Sequence, residues 1–170
     1  AGDATAIVAR NPHGNYILPG VLGDVVYRRV DGVELALDAY LQKRGTDRPA
    51  VIVVHGGGGT SGSRVARVGQ LLEMLAPAGF SWFSIDYRLA PEHPFPAALD
   101  DLRAALGFLR GHSEELRIDP DRIAILGEDY GAQLATLLAT ENSIINKNRN
   151  PHLSKTEIEK LTMVIPNYHF

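Results

Sequence analysis

The pentapeptide Gly127-Glu128-Asp129-Tyr130-Gly131 constrains this chain most, because glycines spaced four apart permit one geometry where an apolar run meets a helix-forming run. Arg122 to Leu126 is a short apolar stretch following the turn signal Asp119-Pro120-Asp121, and Gly131 to Thr140 has the alanine and leucine content of a packed helix. The pattern reads as a strand, a sharp turn and a helix, with the side chain at position 129 held above the end of a sheet. The G-x-S-x-G pattern has serine at that tip; here it is Asp129.

The rest of the chain alternates in the same sense. Val25 to Val30 and Val33 to Leu41, joined by Asp31-Gly32, read as a hairpin. Ala50 to His55 is a continuous apolar run, expected of a central parallel strand covered on both faces. Val65, Val68, Leu71, Leu72 and Leu75 recur at helical spacing and Gly79 follows as a stop. Phe80 to Tyr87 supplies another strand, and Ala98, Leu102, Leu106 and Leu109 form the inward stripe of a helix that starts at Pro96 and ends near Gly111. This succession predicts an α/β fold with a mainly parallel sheet flanked by helices.

With 170 residues the chain fits one core, divided as an N-terminal cap-like segment at 1–24, a core at 25–141 and a divergent tail at 142–170. The tail differs in texture. Before Asn142 there are two asparagines and one lysine against twelve arginines, and from Asn142 on there are five asparagines, three lysines and one arginine. Ser154-Lys155-Thr156-Glu157 reads as a capping box opening a short helix, and Leu161 to Pro166 as a last strand.

A net charge of −3 offers no electrostatic reason for a nucleic-acid partner, and no stretch approaches a transmembrane span. The absence of cysteine excludes disulfides and thiolate metal sites but leaves the compartment open. No cofactor or metal is indicated. Asp86, Asp100, Asp101, Asp119 and Asp121 fall near turns and helix starts, where carboxylates cap N–H groups or face water.

His55-Gly56-Gly57-Gly58-Gly59 follows directly on a predicted buried strand, where bare glycines let backbone N–H groups point into a site as an oxyanion requires. No P-loop lysine follows. These glycines, the segment Asp86-Tyr87-Arg88-Leu89-Ala90-Pro91-Glu92-His93-Pro94-Phe95-Pro96 and the elbow together resemble the hormone-sensitive-lipase-like branch of α/β-hydrolase esterases over about residues 25 to 141. The resemblance implies an α/β-hydrolase sheet and hydrolysis of carboxylic esters. It implies oxyanion-hole N–H groups from Gly57, Gly58 and Tyr130, the nucleophile position at Asp129, and supporting roles for His55, Gly56, Gly127, Glu128 and Gly131. His93 and its segment are then architectural.

Two departures follow from the same comparison. The family's catalytic acid and histidine lie on loops after later strands, which this chain is not expected to contain, so the sheet is expected to be incomplete. That predicts an exposed edge open to self-association or a complementing chain. The aspartate is the second departure. Attack by a carboxylate on an ester carbonyl forms a mixed anhydride and expels a poorer leaving group than itself, so Asp129 does not replace serine. Three alternatives remain for it: a carboxylate nucleophile at saturated carbon, as in haloalkane dehalogenases and epoxide hydrolases; a carboxylate that fills its own oxyanion hole; or a non-catalytic fragment or binding module.

Overall fold

The computed structural model describes residues 20–66, 69–149 and 164–165. Among the described residues six strands form one sheet in the order β1-β2-β4-β3-β5-β6. Strand β1 (Val21–Val30) and β2 (Val33–Tyr40) make an antiparallel hairpin. Its turn residues Asp31 and Gly32 have φ of 51° and 74°, the paired positive values of a type I′ turn. Strand β2 runs antiparallel to β4 (Ser81–Ile85), while β3 (Arg48–Val54) is parallel to β4 and to β5 (Ile118–Gly127). Strand β6 (Val164–Ile165) adds in parallel to β5. The sheet is mainly parallel, as the α/β-hydrolase resemblance implies.

Alternation along β3 explains its unbroken apolar run. Ala50, Ile52 and Val54 face the larger core, where α2 (Ala97–Gly111) and α4 (Tyr130–Arg149) bring Leu102, Leu109, Leu134 and Leu138. Val51 and Val53 face the other side with Trp82, Leu126 and Leu72 of α1 (Gly69–Leu75). Both faces are covered, so every residue from Ala50 to Val54 is buried. The stripe predicted for the second helix is the buried stripe of α2, and Pro96 is its N-cap residue.

Several boundaries differ from the sequence expectation. Val21 and Leu22 already pair with Tyr40 and Ala39, so β1 begins ahead of the expected Val25, and residues 1–19 are outside the described residues. Helix α4 runs without interruption through position 142 to Arg149, so the compositional change falls inside an element. Val65 lies in a turn and is 42% exposed, because the chain at Arg64 is tied to the sheet and α1 starts only at Gly69. Gly79, with φ of 88°, does end that helix: the Phe80 N–H reaches the Leu75 carbonyl in a left-handed cap. Within β5 the pairing advances two residues along β3, from Arg48 to Ala50, while β5 advances five, from Ile118 to Ile123. The Asp119-Pro120-Asp121 turn is this bulge, closed by the Asp121 N–H on the Asp119 carboxylate at 2.9 Å. Val68 and the capping box at Ser154 lie outside the described residues.

The crossovers decide where a site can be. From β3 the chain goes through α1 to β4 on one side, then through α2 and the short helix α3 (Ser113–Leu116) to β5 on the other. The C-terminal ends of β3 and β5 therefore flank the point where the winding reverses, the position at which open α/β sheets leave a crevice.

Candidate active site

Both sequence motifs leave the sheet at that crevice. After Val54 the chain enters the glycine loop, with φ of 109° at Gly57, 63° at Gly58 and 76° at Gly59. Gly57 is required twice over: its φ is left-handed, and a Cβ there would run into the Ser61 carbonyl. The Gly57 carbonyl in turn accepts the Thr60 and Ser61 N–H groups, both at 3.2 Å, which folds the loop onto itself. Its Gly58 and Gly57 N–H groups then point outward.

After Gly127 the chain makes the elbow. The Glu128 N–H continues the ladder to the Val54 carbonyl at 3.2 Å, Asp129 takes φ of 51°, and α4 opens with the Gly131 N–H on the Glu128 carbonyl at 2.8 Å. A left-handed non-glycine residue between strand and helix is a strained conformation that a surrounding structure must hold. Aspartate tolerates it better than most residues.

The Asp129 carboxylate lies across the glycine loop. Its Oδ2 accepts the Gly58 N–H at 2.8 Å and the Gly57 N–H at 3.1 Å, from 71 and 72 residues away in sequence. Hydrogen bonds from the Gly58, Tyr130 and Gly57 N–H groups hold its carboxyl below the ordinary carboxylate value. The ionised form is thus bound by three backbone donors while the side chain stays exposed.

The sign of the resulting pH dependence is fixed. A carboxyl whose folded value is depressed contributes stability above the unfolded value of about 4, and loses it as pH falls through the folded one. Asp129→Asn is expected to cost about 1 kcal/mol or less near pH 7, because exposure screens the charge, and to cost progressively less below about pH 4. Urea unfolding of both proteins at several pH values measures this.

A cleft of about 460 Å³ adjoins the carboxylate, lined by Gly56, Gly57, Gly58, Ser61, Gly62, Ala66, Glu128 and Asp129. Its size is that of a small-molecule site. Ser61, Gly62 and Ala66 did not stand out in the sequence; the one available signal was their position in the loop just after the glycine run.

His55 has a supporting place. It is buried, its ring stacks on Tyr87 with centroids 4.3 Å apart, and its Nδ1 donates to the Gly56 carbonyl at 2.8 Å. Burial lowers its pKa, so it is held neutral. The Tyr87 hydroxyl donates to the His55 carbonyl at 2.8 Å and is kept protonated by burial. Tyr130 places its ring beside Gly59, where a Cβ would come within 3.1 Å of it. Glu128 contributes its backbone to the turn and its exposed side chain to the cleft rim. Gly56 brings the loop against the elbow, since a Cβ there would stand 3.1 Å from the Asp129 Cβ and the Glu128 carbonyl.

Among the described residues, the other two histidines, His93 and His112, are not brought to Asp129. The His93 N–H bonds the Leu89 carbonyl within its own segment, and His112 caps α2 with its ring against Phe108. His13, His152 and His169 lie outside the described residues. Among the described residues no three His, Cys, Asp or Glu side chains form a metal-binding group, and no helix is long and apolar enough to cross a membrane. Asp101 takes a backbone N–H as expected, that of Arg88 at 2.9 Å, but does so completely buried and ion-paired to the same arginine rather than at a turn facing water.

Known proteins share this arrangement of sequence and fold. The sequence model of the BD-FAE family matches residues 37–169. Lipase 2 of a Moraxella species is 33% identical over 124 residues, covering 69% of this chain and 29% of its own length. Ethyl acetate hydrolase of Pseudomonas putida is 33% identical over 128 residues, covering 72% of this chain and 40% of its own. The butyrate-bound esterase 2 of Thermogutta terrifontis superposes with a TM-score of 0.63 at 30% identity, over 68% of this chain and 43% of that protein. The chain thus spans less than half the length of each of these relatives. The family match over most of the sequence, together with the sheet order and the esterase neighbours in both sequence and structure, has one reading: the chain belongs to the BD-FAE family, among the hormone-sensitive-lipase-like esterases of α/β-hydrolase fold.

Proposed function

We propose that this chain carries the oxyanion-hole and elbow portion of a carboxylic ester hydrolase in a self-occupied form, with little or no ester turnover of its own. Gly57, Gly58 and Tyr130 are its oxyanion donors and Asp129 holds the nucleophile position. The observation that carries the reading is the bond from the Gly58 N–H to Asp129 Oδ2 at 2.8 Å, with Gly57 beside it at 3.1 Å. In an esterase those donors serve the developing charge of the tetrahedral intermediate. Here a resident carboxylate takes them.

Chemistry argues the same way. An acyl-aspartate formed from an ester is a mixed anhydride, uphill from its substrate, and His55 is buried, neutral and bonded to Gly56, so it is no base for water. A histidine and an acid from outside the described residues would be needed to complete catalysis. A second copy or a complementing chain pairing beside β6, the edge strand among the described residues, is one source of them. Light scattering that finds only monomer removes that part of the proposal.

The relatives named for ethyl acetate and bound to butyrate suggest short acyl esters as the substrate class. The test is incubation with p-nitrophenyl butyrate and, separately, with a haloalkane, followed by intact mass under denaturing conditions. The expected result is p-nitrophenol release at the buffer rate and no mass gain. Steady turnover would overturn the self-occupied reading, and an alkyl adduct on Asp129 would assign the carboxylate to displacement at saturated carbon. Asp129→Ser is expected to remain without steady turnover, because a serine without a neighbouring base stays protonated.

A further inference from the structure

Arg64 is an ion-pair hub that the esterase reading does not use. It sits at the far end of the glycine loop, and its guanidinium is bonded to carboxylates on β1, on β2 and just past the end of β4. Nε donates to Asp38 at 2.9 Å, Nη1 to Asp86 and Nη2 to Asp24. The backbone of the same residue is fixed as well, with its N–H on Asp86 Oδ1 at 2.8 Å and its carbonyl accepting the Ser84 hydroxyl at 2.6 Å. The arginine side chain is 14% exposed. Every polar group of residue 64 is therefore held by the sheet.

The hub is a costly local arrangement. Asp24 has a left-handed φ of 57° and lies where the β1–β2 register slips between Leu22 and Val25. A bulge of this kind re-aims a side chain. The Asp24 N–H also bonds Asp38 at 3.0 Å, which keeps the three carboxylates converged on one cation. Hairpin stability alone does not call for this convergence, since a regular strand would pair more fully and without strain.

What the hub reaches is the oxyanion nest. The returning limb of the loop, from Ser61 to Arg64, is packed on the outgoing limb with no room between. A Cβ on Gly62 would overlap His55 Nδ1 and stand 2.6 Å from the Gly56 carbonyl and 2.8 Å from His55 Cε1, and a Cβ on Gly57 would strike Ser61. Displacing the limb that Arg64 anchors therefore displaces Gly57 and turns its N–H. The other anchors are the Tyr87 hydroxyl at His55 and the Ala90 N–H on the Gly59 carbonyl at 2.8 Å. Those two hold the loop's start and middle; among the described residues Arg64 is what holds its end.

We propose that Arg64, gripped by Asp24, Asp38 and Asp86, is a positioning residue that sets the direction of the Gly57 and Gly58 N–H groups and hence the anion-binding strength of the nest. The proposal rests on the self-occupied reading, in which Asp129 is the nest's resident anion. That makes Asp129 a built-in reporter.

The experiment follows the Asp129 carboxyl resonance by NMR through an acid titration of the full chain, for the parent protein, Arg64→Lys and Asp24→Asn, with Arg103→Gln as a control on an exposed pair between α2 and α4. Arg64→Lys keeps the charge but loses the planar three-way grip. It is expected to raise the Asp129 pKa by about one unit. Asp24→Asn is expected to raise it by a smaller amount, whereas removal of a negative charge acting through space alone would lower it. Arg103→Gln is expected to leave it unchanged. A depressed parent value that stays fixed in the folded Arg64→Lys or Asp24→Asn protein overturns the positioning role and leaves the self-occupied reading standing. A parent value at the ordinary carboxylate position overturns both. If Arg64→Lys does not fold, Asp24→Asn decides by the sign of its shift.

Discussion

Gly131→Ala is expected to destabilise the fold by about 3 kcal/mol or more and to abolish the cleft geometry, although the change is one methyl group. Gly131 begins the buried face of α4 directly under the end of β3. A Cβ there would stand 2.6 Å from the His55 carbonyl and closer still to the Val54 carbonyl. These are backbone atoms of the central strand, so no rotamer change relieves the overlap; either α4 lifts from the sheet or β3 bends. Both movements separate Asp129 from Gly57 and Gly58. Gly127 faces the same elbow from the other side, with a Cβ meeting the Gly131 backbone and standing 2.5 Å from the Ala132 nitrogen. The measurement is chemical denaturation of parent and variant, with the Asp129 titration as the local readout. A loss below about 1 kcal/mol would mean that the helix and sheet can separate cheaply, against close packing as the reason for these glycines.

Asp101→Ala is expected to cost roughly 3–5 kcal/mol, because it strands a buried cation. Asp101 is fully buried on α2, and its carboxylate accepts the Arg88 N–H at 2.9 Å, Arg88 Nε at 2.9 and 3.2 Å, and Arg28 Nη1 at 2.6 Å. Arg88 has one further carboxylate, the exposed Asp31 of the hairpin turn, at 2.6 Å. Removal of Asp101 leaves Arg88 desolvated with a solvent-screened partner only, and leaves its backbone N–H unpaired. For a chain of this length the midpoint of thermal unfolding should fall by about 10 °C. Replacement of the whole network by apolar residues of similar volume would be far milder, since the pair's own net contribution is small. A fall of only a degree or two in Asp101→Ala would mean that water reaches Arg88.

This network also shows how unevenly the sequence discloses structure. The segment Asp86 to Pro96 stood out in the sequence through its resemblance to a family, and its architectural role follows from Arg88 joining the hairpin, α2 and the segment itself. Yet Asp101, its partner, read like any carboxylate near a helix start. Nothing local distinguishes it from Asp100 one position earlier, which pairs with Arg103 at the surface. One residue is a rotation of about 100° around a helix, and only the packing of α2 on β1 decides which carboxylate turns inward.

Arg64 gives the same lesson for the site. Its three partners lie 40, 26 and 22 residues away. Asp86 heads the family-like segment, but no motif marks Asp24 or Asp38, and the glycine before Asp24 is silent until the register slip in β1 is seen. Helical periodicity even suggested Val65 as part of a helix stripe. The ion-pair hub outweighs that local preference and keeps the chain in a turn.

From the amino-acid sequence alone came the elements that depend on neighbours in the chain: the apolar run of β3, the stripe of α2, the Asp31-Gly32 turn, and the glycines that permit a loop and an elbow at two strand ends. Those features arise from periodicity and backbone sterics, which act over a few residues. The sequence also narrowed Asp129 to three chemistries without ordering them in space. Tertiary structure alone decided that β5 lies beside β3, which brings Asp129 onto N–H groups some seventy residues away, and that Arg64 and Asp101 sit among opposite charges. Such contacts depend on strand order and on which helix face is buried, and both are settled by the packing of the whole core.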